Sequence, residues 1–446
     1  MILRDPVHGL VAFETEEERI VEQLLDTPEV QRLRRVRQLG VANVAFPGAE
    51  HTRFAHALGA AHVMKLLLAR LRAIQDELPF WQRVTSDRAQ DALAAALLHD
   101  LGHGPLSHLF EDAIPGTAHH EEWTEKIILD PSTGVHRVLA ALDGGMPARV
   151  AALVRGEHPL PYLAHAVSGT LDVDRCDYLL RDAHATGVRY GVYDLDWLLR
   201  SLRFAPASIG SGAGGASGTS DDGVAPQLAV DGAKGLPAIE AFILARLFMF
   251  QQVYLHKATR SAEWMIRRIL GRATELLAAG KTLPDVPRAI ALAAQGGEIP
   301  LADYLELDDA VLMDAMHAWE RGDDPGLADL CRRVRVRHLY KTYELFGDQA
   351  QRPEGALAAA KDIARGAGLD PEMAVGLDVA RDTPFGDGAE DMMVVFAKGP
   401  PRRLGDVSFL LGRLGGHELS RTRILFAPEL RDAIIGALSS GATIRP

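Results

Sequence analysis

Residues 86–108 read SDRAQDALAAALLHDLGHGPLSH, and this stretch decides the fold. Every residue from Ala92 to Leu98 is Ala or Leu, which predicts a buried helix over about Ser86 to Leu101. Gly102, Gly104 and Pro105 oppose its continuation, and Pro105 is suited to open a following helix, PLSHLFEDAI. His103 is thereby expected on a helix-to-helix turn. His99 and Asp100 end the first helix, where a carboxylate opposes the macrodipole and a buried His–Asp pair is costly without compensation. A divalent cation supplies that compensation, and imidazole with carboxylate suits the Mn, Fe, Zn, Mg or Ni class.

Two adjacent ligands do not fill a coordination sphere, so more must come from elsewhere. Eight of the 17 histidines (His51, His56, His62, His99, His103, His108, His119 and His120) fall within residues 51–120. His56 in HTRFAHALG is one candidate, and an aspartate of TLDVDRCDYLLRDAHATG is another. A helical reading of the latter puts Asp174, Asp177, Tyr178, Arg181 and Ala185 on one face, with Asp182 at its flank and Asp172 pointing elsewhere.

The remaining composition bounds the classes. The chain has 446 residues, 47% hydrophobic and 24% charged, enough for two or three core-sized units and excluding wholesale disorder. Its net charge of -12 disfavours non-specific nucleic-acid binding. Only Cys176 and Cys331 are present, so no disulfide framework is expected, and a reducing, cytoplasmic setting fits. Arg4, Asp5 and His8 interrupt the N-terminus where a signal peptide needs an apolar run, and no membrane span is expected from the apolar stretches.

Periodicity predicts helices over Thr15–Leu39 with a restart at Pro28, and over Thr52–Leu71, Glu121–Leu129, Val135–Leu142, Tyr162–Ala185 and Ala238–Ala279. Thr15 and Glu18 have capping-box spacing. SLRFAPA and PQLAVDG read as strands flanking the Gly/Ser-rich residues 208–222, a flexible loop within a hairpin. MMVVFAKGP, DVSFLL and TRILFA read as strands and APELRDAIIGAL as a closing helix. The run RRVRVRHLYK, residues 332–341, alternates like a strand. The expected fold is mainly α: a helical unit over 1–345 with a β-hairpin insertion, then a smaller mixed α/β lobe over 346–446.

The pattern H…HD…D, here His56, His99–Asp100 and Asp174, resembles the metal-binding signature of the HD phosphohydrolase superfamily. DPVHG, DTPEVQRLRRVRQLG, FPGAEHTRFAHALG, HDLGHGPLSH, DVDRCDYLLRD and YLHK are similar to its deoxynucleoside-triphosphate triphosphohydrolase branch. That branch includes a vertebrate SAM-and-HD-domain form, although no SAM-like sequence is expected ahead of Met1. The resemblance implies hydrolysis of a dNTP, with dGTP a candidate preferred substrate, to deoxynucleoside and inorganic triphosphate. It implies a metal held by His56, His99, Asp100 and Asp174, and His108 as general acid with Glu111 orienting it. His103, His120 and Arg53 would contact the triphosphate, and Arg175 and Arg246 match further phosphate-facing positions. Tyr178 matches a residue lining the sugar, and Asp182 and Gln38 match contacts to its 3′ hydroxyl. Tyr254, His256 and Lys257 match base- and phosphate-proximal positions.

Asp26, Gln31 and Arg34 coincide with positions that bind a guanine-nucleotide activator, GTP or dGTP, between subunits of relatives. The bland alternative is a solvated helix face. A homo-oligomer, dimer or tetramer, is the implied assembly. Competing readings are another HD-superfamily nucleotide phosphohydrolase, disfavoured because HDLGHG lacks the acids of HDxxED and no GYP follows His119–His120–Glu121, and a catalytically silent nucleotide sensor.

Overall fold

In the computed structural model the described residues are 1–114, 116–206, 226–382, 392–414 and 418–439; the Gly/Ser-rich stretch 208–222 lies outside them. The chain opens on an antiparallel hairpin, β1 (Ile2–Asp5) and β2 (Gly9–Ala12), with Ile2 opposite Ala12 and Asp5 opposite Gly9. Helices α1 (Arg19–Leu25) and α2 (Pro28–Arg32) follow. Thr27 precedes α2 in an extended conformation and Pro28 opens it, as the sequence predicts. The capping box forms only by half: Glu18 accepts from the Glu14 and Thr15 amides, while α1 starts at Arg19 with no side-chain cap.

The organising element is α3 (Arg53–Ile74), capped by Thr52, whose Oγ1 accepts from the Ala55 amide. It packs against α4 (Ser86–Leu98) and α10 (Val173–Thr186). Its small buried residues Ala57, Ala60 and Ala61 allow that close approach, and Leu67, Leu68 and Leu71 are buried beyond them. Each such leucine stabilises the fold by about 1.5–3 kcal/mol. Between α4 and α10 lie α5 (His108–Ala113), α6 (His120–Leu129), α7 (Gly134–Leu142), α8 (Met146–Val154) and α9 (Pro161–Val167).

Next come α11 (Leu195–Arg200) and the antiparallel pair β3 (Leu202–Pro206) and β4 (Pro226–Asp231). Then α12 (Leu236–Met249) runs through a π turn, Phe250–Tyr254, before α13 (Lys257–Ala278). The segment Leu236–Tyr254 is long and apolar enough to cross a membrane by length and composition. Here it is half buried, packs on α10 and α11, and carries Arg246 on its inner side. A second core surrounds α13 and α14 (Arg288–Ala294), α15 (Leu301–Leu305), α16 (Asp309–Trp319) and α17 (Pro325–Arg335).

The last stretch is mixed: β5 (Lys341–Leu345), α18 (Asp348–Gln351), α19 (Glu354–Gly366), α20 (Pro371–Ala374) and β6 (Val375–Asp382). After β7 (Met393–Val395) and β8 (Arg402–Arg403) come α21 (Leu404–Val407), α22 (Leu411–Leu414), β9 (Leu419–Phe426) and α23 (Arg431–Ser439). Strand β9 pairs antiparallel with both β5 and β6, whereas β7 pairs parallel with β4 of the earlier hairpin. The protein is thus mainly α-helical, with a β-hairpin and a mixed α/β C-terminal region.

Several expectations are corrected. The helix expected over Tyr162–Ala185 is two, because Asp172 is extended and caps α10 by accepting from the Arg175 amide at 2.8 Å. The helix expected over Ala238–Ala279 breaks at the extended His256, whose Nδ1 accepts from the Ala258 amide. Pro105 opens no helix: Leu106 and Ser107 have φ of 56° and 62°, and α5 begins at His108. Residues 332–335 end α17 because Leu327, Leu330 and Cys331 form its buried face, and only Lys341 enters a strand. DVSFLL is helical at both ends around Ser408, whose Oγ accepts from the Leu411 amide. The hairpin β1–β2 and helix α8 were not anticipated from the sequence pattern.

Candidate metal centre and active site

His56 lies in the first turn of α3, His99 at the C-terminal end of α4, and Asp174 in the first turn of α10. The packing of these helices brings His56 Nε2 to 3.0 Å from Asp174 Oδ1 and 3.3 Å from His99 Nε2, with His99 Nε2 3.5 Å from the same carboxylate oxygen. His56 Nδ1–H donates to Asp177 at 2.8 Å and His99 Nδ1–H donates to the Ala96 carbonyl at 2.9 Å. Both Nε2 lone pairs therefore face Asp174. Donors fixed in this way, with their far nitrogens bonded to oxygen, fit a divalent cation. Burial would lower the pKa of His56, but Asp174 and Asp177 raise it to about 10. Asp100 stands at the edge, 3.6 Å from His99 Nε2 and 3.7 Å from His56 Nε2, with Oδ2 also engaged by Arg53 Nη1.

A second set of donors adjoins the first. Glu111, buried in α5, has Oε1 3.3 Å from His103 Nδ1 and 3.9 Å from His108 Nδ1, while Oε2 lies 3.2 Å from His120 Nδ1. The His103 and His120 rings stack at 3.8 Å, and the His108 ring is edge-on to both. Gly102 permits this approach, since a Cβ there would fall 2.1 Å from the His120 carbonyl oxygen and 2.4 Å from the Thr124 nitrogen on α6. Burial would raise Glu111, but bonds to His103 and His120 hold it well below the usual carboxylate range. The charge of Arg53 lowers His108, whose side chain is 66% exposed, and burial and then the same charge push the enclosed His103 down to about 3. His103 bridges the two sets, with Nε2 3.2 Å from Asp100 Oδ1. Arg53 donates to Ser107 Oγ at 2.9 Å as well as to Asp100.

Tyr178 stands on the other side, its ring centroid 6.4 Å from both the His56 and the Tyr254 rings. Asp182 accepts from Tyr254 OH at 2.8 Å and from His51 Nε2 at 2.7 Å. Gln38, whose buried Oε1 has no hydrogen-bond partner, shares with Tyr254 and His108 a cavity of about 220 Å³. Arg175 is turned toward its own helix start, donating to Asp172 and the Gly169 carbonyl. Arg246 is buried with its guanidinium 5.7 Å from the Phe250 ring. His256 packs on Phe46, while Lys257 lines a separate cavity of about 350 Å³ with Arg337, His338, Lys341 and Arg431.

Gln31 and Arg34 are brought together, the Arg34 Nε donating to Gln31 Oε1 at 2.8 Å with its guanidinium over the Phe54 ring. Asp26 instead lines a groove between α1 and α7 with Thr27, Gly134 and Arg137. Sequence reasoning gave no task to His51, nor to Asp5, His8, Asp177 and Arg181, which surround His56. The i,i+4 spacing of Asp177 and Arg181 and the DPVHG stretch were their visible signals.

Residues 53–182, which contain all of His56, His99, Asp100 and Asp174, match the HD domain. The chain is similar to the uncharacterized protein YwfO of Bacillus subtilis, 34% identical over 384 residues that cover 86% of this chain and 80% of that one. It is 27% identical over 357 residues to the deoxynucleoside triphosphate triphosphohydrolase SAMHD1 homolog of Dictyostelium discoideum, covering 76% of this chain and 59% of that protein. With the Homo sapiens deoxynucleoside triphosphate triphosphohydrolase SAMHD1 it shares 32% over 222 residues, 42% of this chain and 34% of that one. The match therefore spans less than two thirds of these SAMHD1 proteins. In three dimensions it resembles a phosphohydrolase from Bacteroides thetaiotaomicron with a TM-score of 0.77 at 26% identity, over 96% of this chain and 99% of that one. The ligand pattern, the helical frame that assembles it and these matches together make the chain a member of the HD-domain phosphohydrolase family, homologous to the SAMHD1-type proteins.

Proposed function

We propose that this chain hydrolyses deoxynucleoside triphosphates, dGTP among them, to deoxynucleoside and inorganic triphosphate in a metal-dependent reaction. The observation that carries the reading is the adjacency of two donor sets, His56/His99/Asp174 and His103/His108/Glu111/His120, linked through Asp100 and Arg53. One set suits a cation, and the other presents imidazoles and a guanidinium to a chain of phosphates. Tyr178, Asp182 and Tyr254 on the opposite side offer a ring face and a carboxylate to a sugar.

A divalent cation held by His56, His99 and Asp174, with Asp100 at its edge, would polarise a phosphoryl oxygen and acidify water. Arg53, His103 and His120 bind and orient the triphosphate, with Arg53 already aimed by Ser107. Water adds to the α-phosphorus as the bond to the 5′ oxygen breaks, and His108 donates its proton to that oxygen. Glu111 holds the imidazoles beside it. The Arg53 charge favours the neutral form of His108 in the free chain. The negative charge of a bound triphosphate reverses that bias and loads the acid.

The same reading includes a homo-oligomer, dimer or tetramer, with GTP or dGTP as activator near Asp26, Gln31 and Arg34. The test is product analysis by liquid chromatography and mass spectrometry after incubation with each dNTP, Mn and added GTP. Deoxynucleoside plus intact triphosphate, lost in Asp100→Ala, is the expected result. Orthophosphate or pyrophosphate would assign a different HD-family hydrolysis, and bound nucleotide without turnover would assign a sensor.

A further inference from the structure

We propose that the N-terminal hairpin is a positioning device for the metal centre, acting through His8 and Asp177 on His56; the inference rests on His56 being a metal ligand. His8 Nε2 lies 2.6 Å from Asp177 Oδ1, a contact spanning 169 residues of sequence. Arg181 Nη2 donates to the same oxygen at 2.8 Å. Asp177 Oδ2 accepts from His56 Nδ1 at 2.8 Å and from Arg181 Nε at 2.7 Å. A carboxylate has about four lone-pair sites, and here all four are taken. Asp177 cannot turn without breaking one of these bonds, so it fixes both the plane and the tautomer of the His56 ring.

His8 is itself held by the turn that joins β1 to β2. Asp5 Oδ1 accepts from the amides of Val7 at 2.9 Å and His8 at 2.8 Å, and Asp5 Oδ2 accepts from Arg181 Nη1 at 2.8 Å. Arg181 thus clamps the carboxylate at each end of the chain of bonds, and the side chains of His8, Asp177, Arg181 and Asp5 are 6%, 0%, 2% and 3% exposed. A buried ionic group that loses a partner is strongly disfavoured, so the network forms as a unit. Helix α3 leaves a gap for it one turn beyond His56. A Cβ on Gly59 would lie 1.9 Å from Asp177 Oδ1 and 2.3 Å from Arg181 Nη2. The hairpin therefore supplies the one donor to Asp177 that does not come from α3 or α10. Without it Oδ1 keeps a single partner, Arg181 Nη2, and the restraint on the His56 ring is weakened.

The experiment compares the full-length wild type with His8→Leu, which removes the donor, and His8→Gln, which retains an N–H at a similar reach. Each is titrated with Co(II) against a competing chelator, beside its melting temperature. Removing a residue bonded directly to a ligand weakens metal affinity by about 10–100-fold, and His8 acts one bond further out, so the low end, about tenfold, is the expected size. The expected result is that loss in His8→Leu and recovery to within a few-fold in His8→Gln. A lower melting temperature in His8→Leu with unchanged Co(II) affinity would overturn the inference and leave the metal reading standing. A wild type that binds no Co(II) would overturn the metal reading itself.

If His8→Leu does not fold, hydrogen exchange of the wild type decides. Coupling is reciprocal, so Co(II) must slow exchange of the Val7 and His8 amides by the same factor that the hairpin lends to metal affinity. Exchange at these two amides that Co(II) leaves unchanged would overturn the proposal.

Discussion

Glu111 Oε2 lies 3.2 Å from His120 Nδ1, and its other oxygen lies 3.3 Å from His103 Nδ1, so one buried carboxylate joins two stacked imidazoles. Glu111→Gln keeps the shape and removes the negative charge that faces those rings. With His108 also losing its orienting carboxylate, kcat should fall by about 10²-fold, the lower end of what a placed acid contributes. Steady-state kinetics at saturating metal measures this. Unchanged kcat would remove Glu111 from the reaction.

His108 gives the reaction a predictable pH dependence. A general acid works only when protonated, so activity falls as pH rises through its pKa. In the free chain the charge of Arg53 lowers that pKa, and the charge of bound triphosphate raises it again. The alkaline limb of kcat should therefore lie at higher pH than the alkaline limb of kcat/KM. His108→Ala should reduce kcat by about 10²–10⁴-fold and abolish the separation of the limbs.

The two donor sets make a claim about stoichiometry. Among the described residues it is His56 and His99 whose ligating nitrogens are aimed at one carboxylate, that of Asp174, by bonds on the far side of each ring. One ion per chain is expected by elemental mass spectrometry, and His99→Ala should lose it. At a hundredfold excess over Kd the ion should stabilise the fold by about 2.7 kcal/mol, so a chelator lowers the melting temperature. Two ions per chain, the second surviving His99→Ala, would assign the Glu111 set to metal and not to proton transfer.

How much of this was legible depends on how local the cause was. The Ala/Leu run ending in His99–Asp100 announced α4 and its polar end, because burial and helix period are properties of neighbouring residues. The turn after it was not legible: Leu106 is held at positive φ while its amide donates to Asp309 Oδ1, 203 residues away. Residues 332–335 alternated like a strand only because the apolar stripe of α17 carries Arg on its solvent side. Asp177 was visible on the same helix as Asp174 but not its partner, since the contact with His8 depends on where the first hairpin folds back.

A pair outside the site ties local packing to acid stability. Glu17 accepts from both terminal nitrogens of Arg72 at the end of α3 and from Ser86 Oγ at the start of α4. The bond to Arg72 chiefly lowers the Glu17 pKa. A carboxylate lowered in the folded state contributes stability that is present above its unfolded pKa, near 4.3, and lost as pH falls through the folded value. Glu17→Gln should cost about 0.5–1 kcal/mol at pH 7, as for a partly exposed pair, and progressively less as pH falls through the lowered pKa. Denaturant melts across that range measure the difference.

Tyr178 sits between His56 and Tyr254, which on the proposed reading is where the ring of a bound sugar would pass. If its bulk excludes a 2′-hydroxyl, removing the ring must relax the choice between dNTP and rNTP, whereas removing only the phenolic oxygen must not. Tyr178→Ala should therefore raise the ratio of rNTP to dNTP kcat/KM by about tenfold or more, and Tyr178→Phe should leave it near the wild-type value. The tenfold figure corresponds to about 1.4 kcal/mol of lost discrimination, within the range that one misfitting group in a pocket supplies. Equal ratios in all three proteins would show that the deoxy preference is set elsewhere. A change in Tyr178→Phe alone would point to a hydrogen bond from the hydroxyl instead of to steric exclusion.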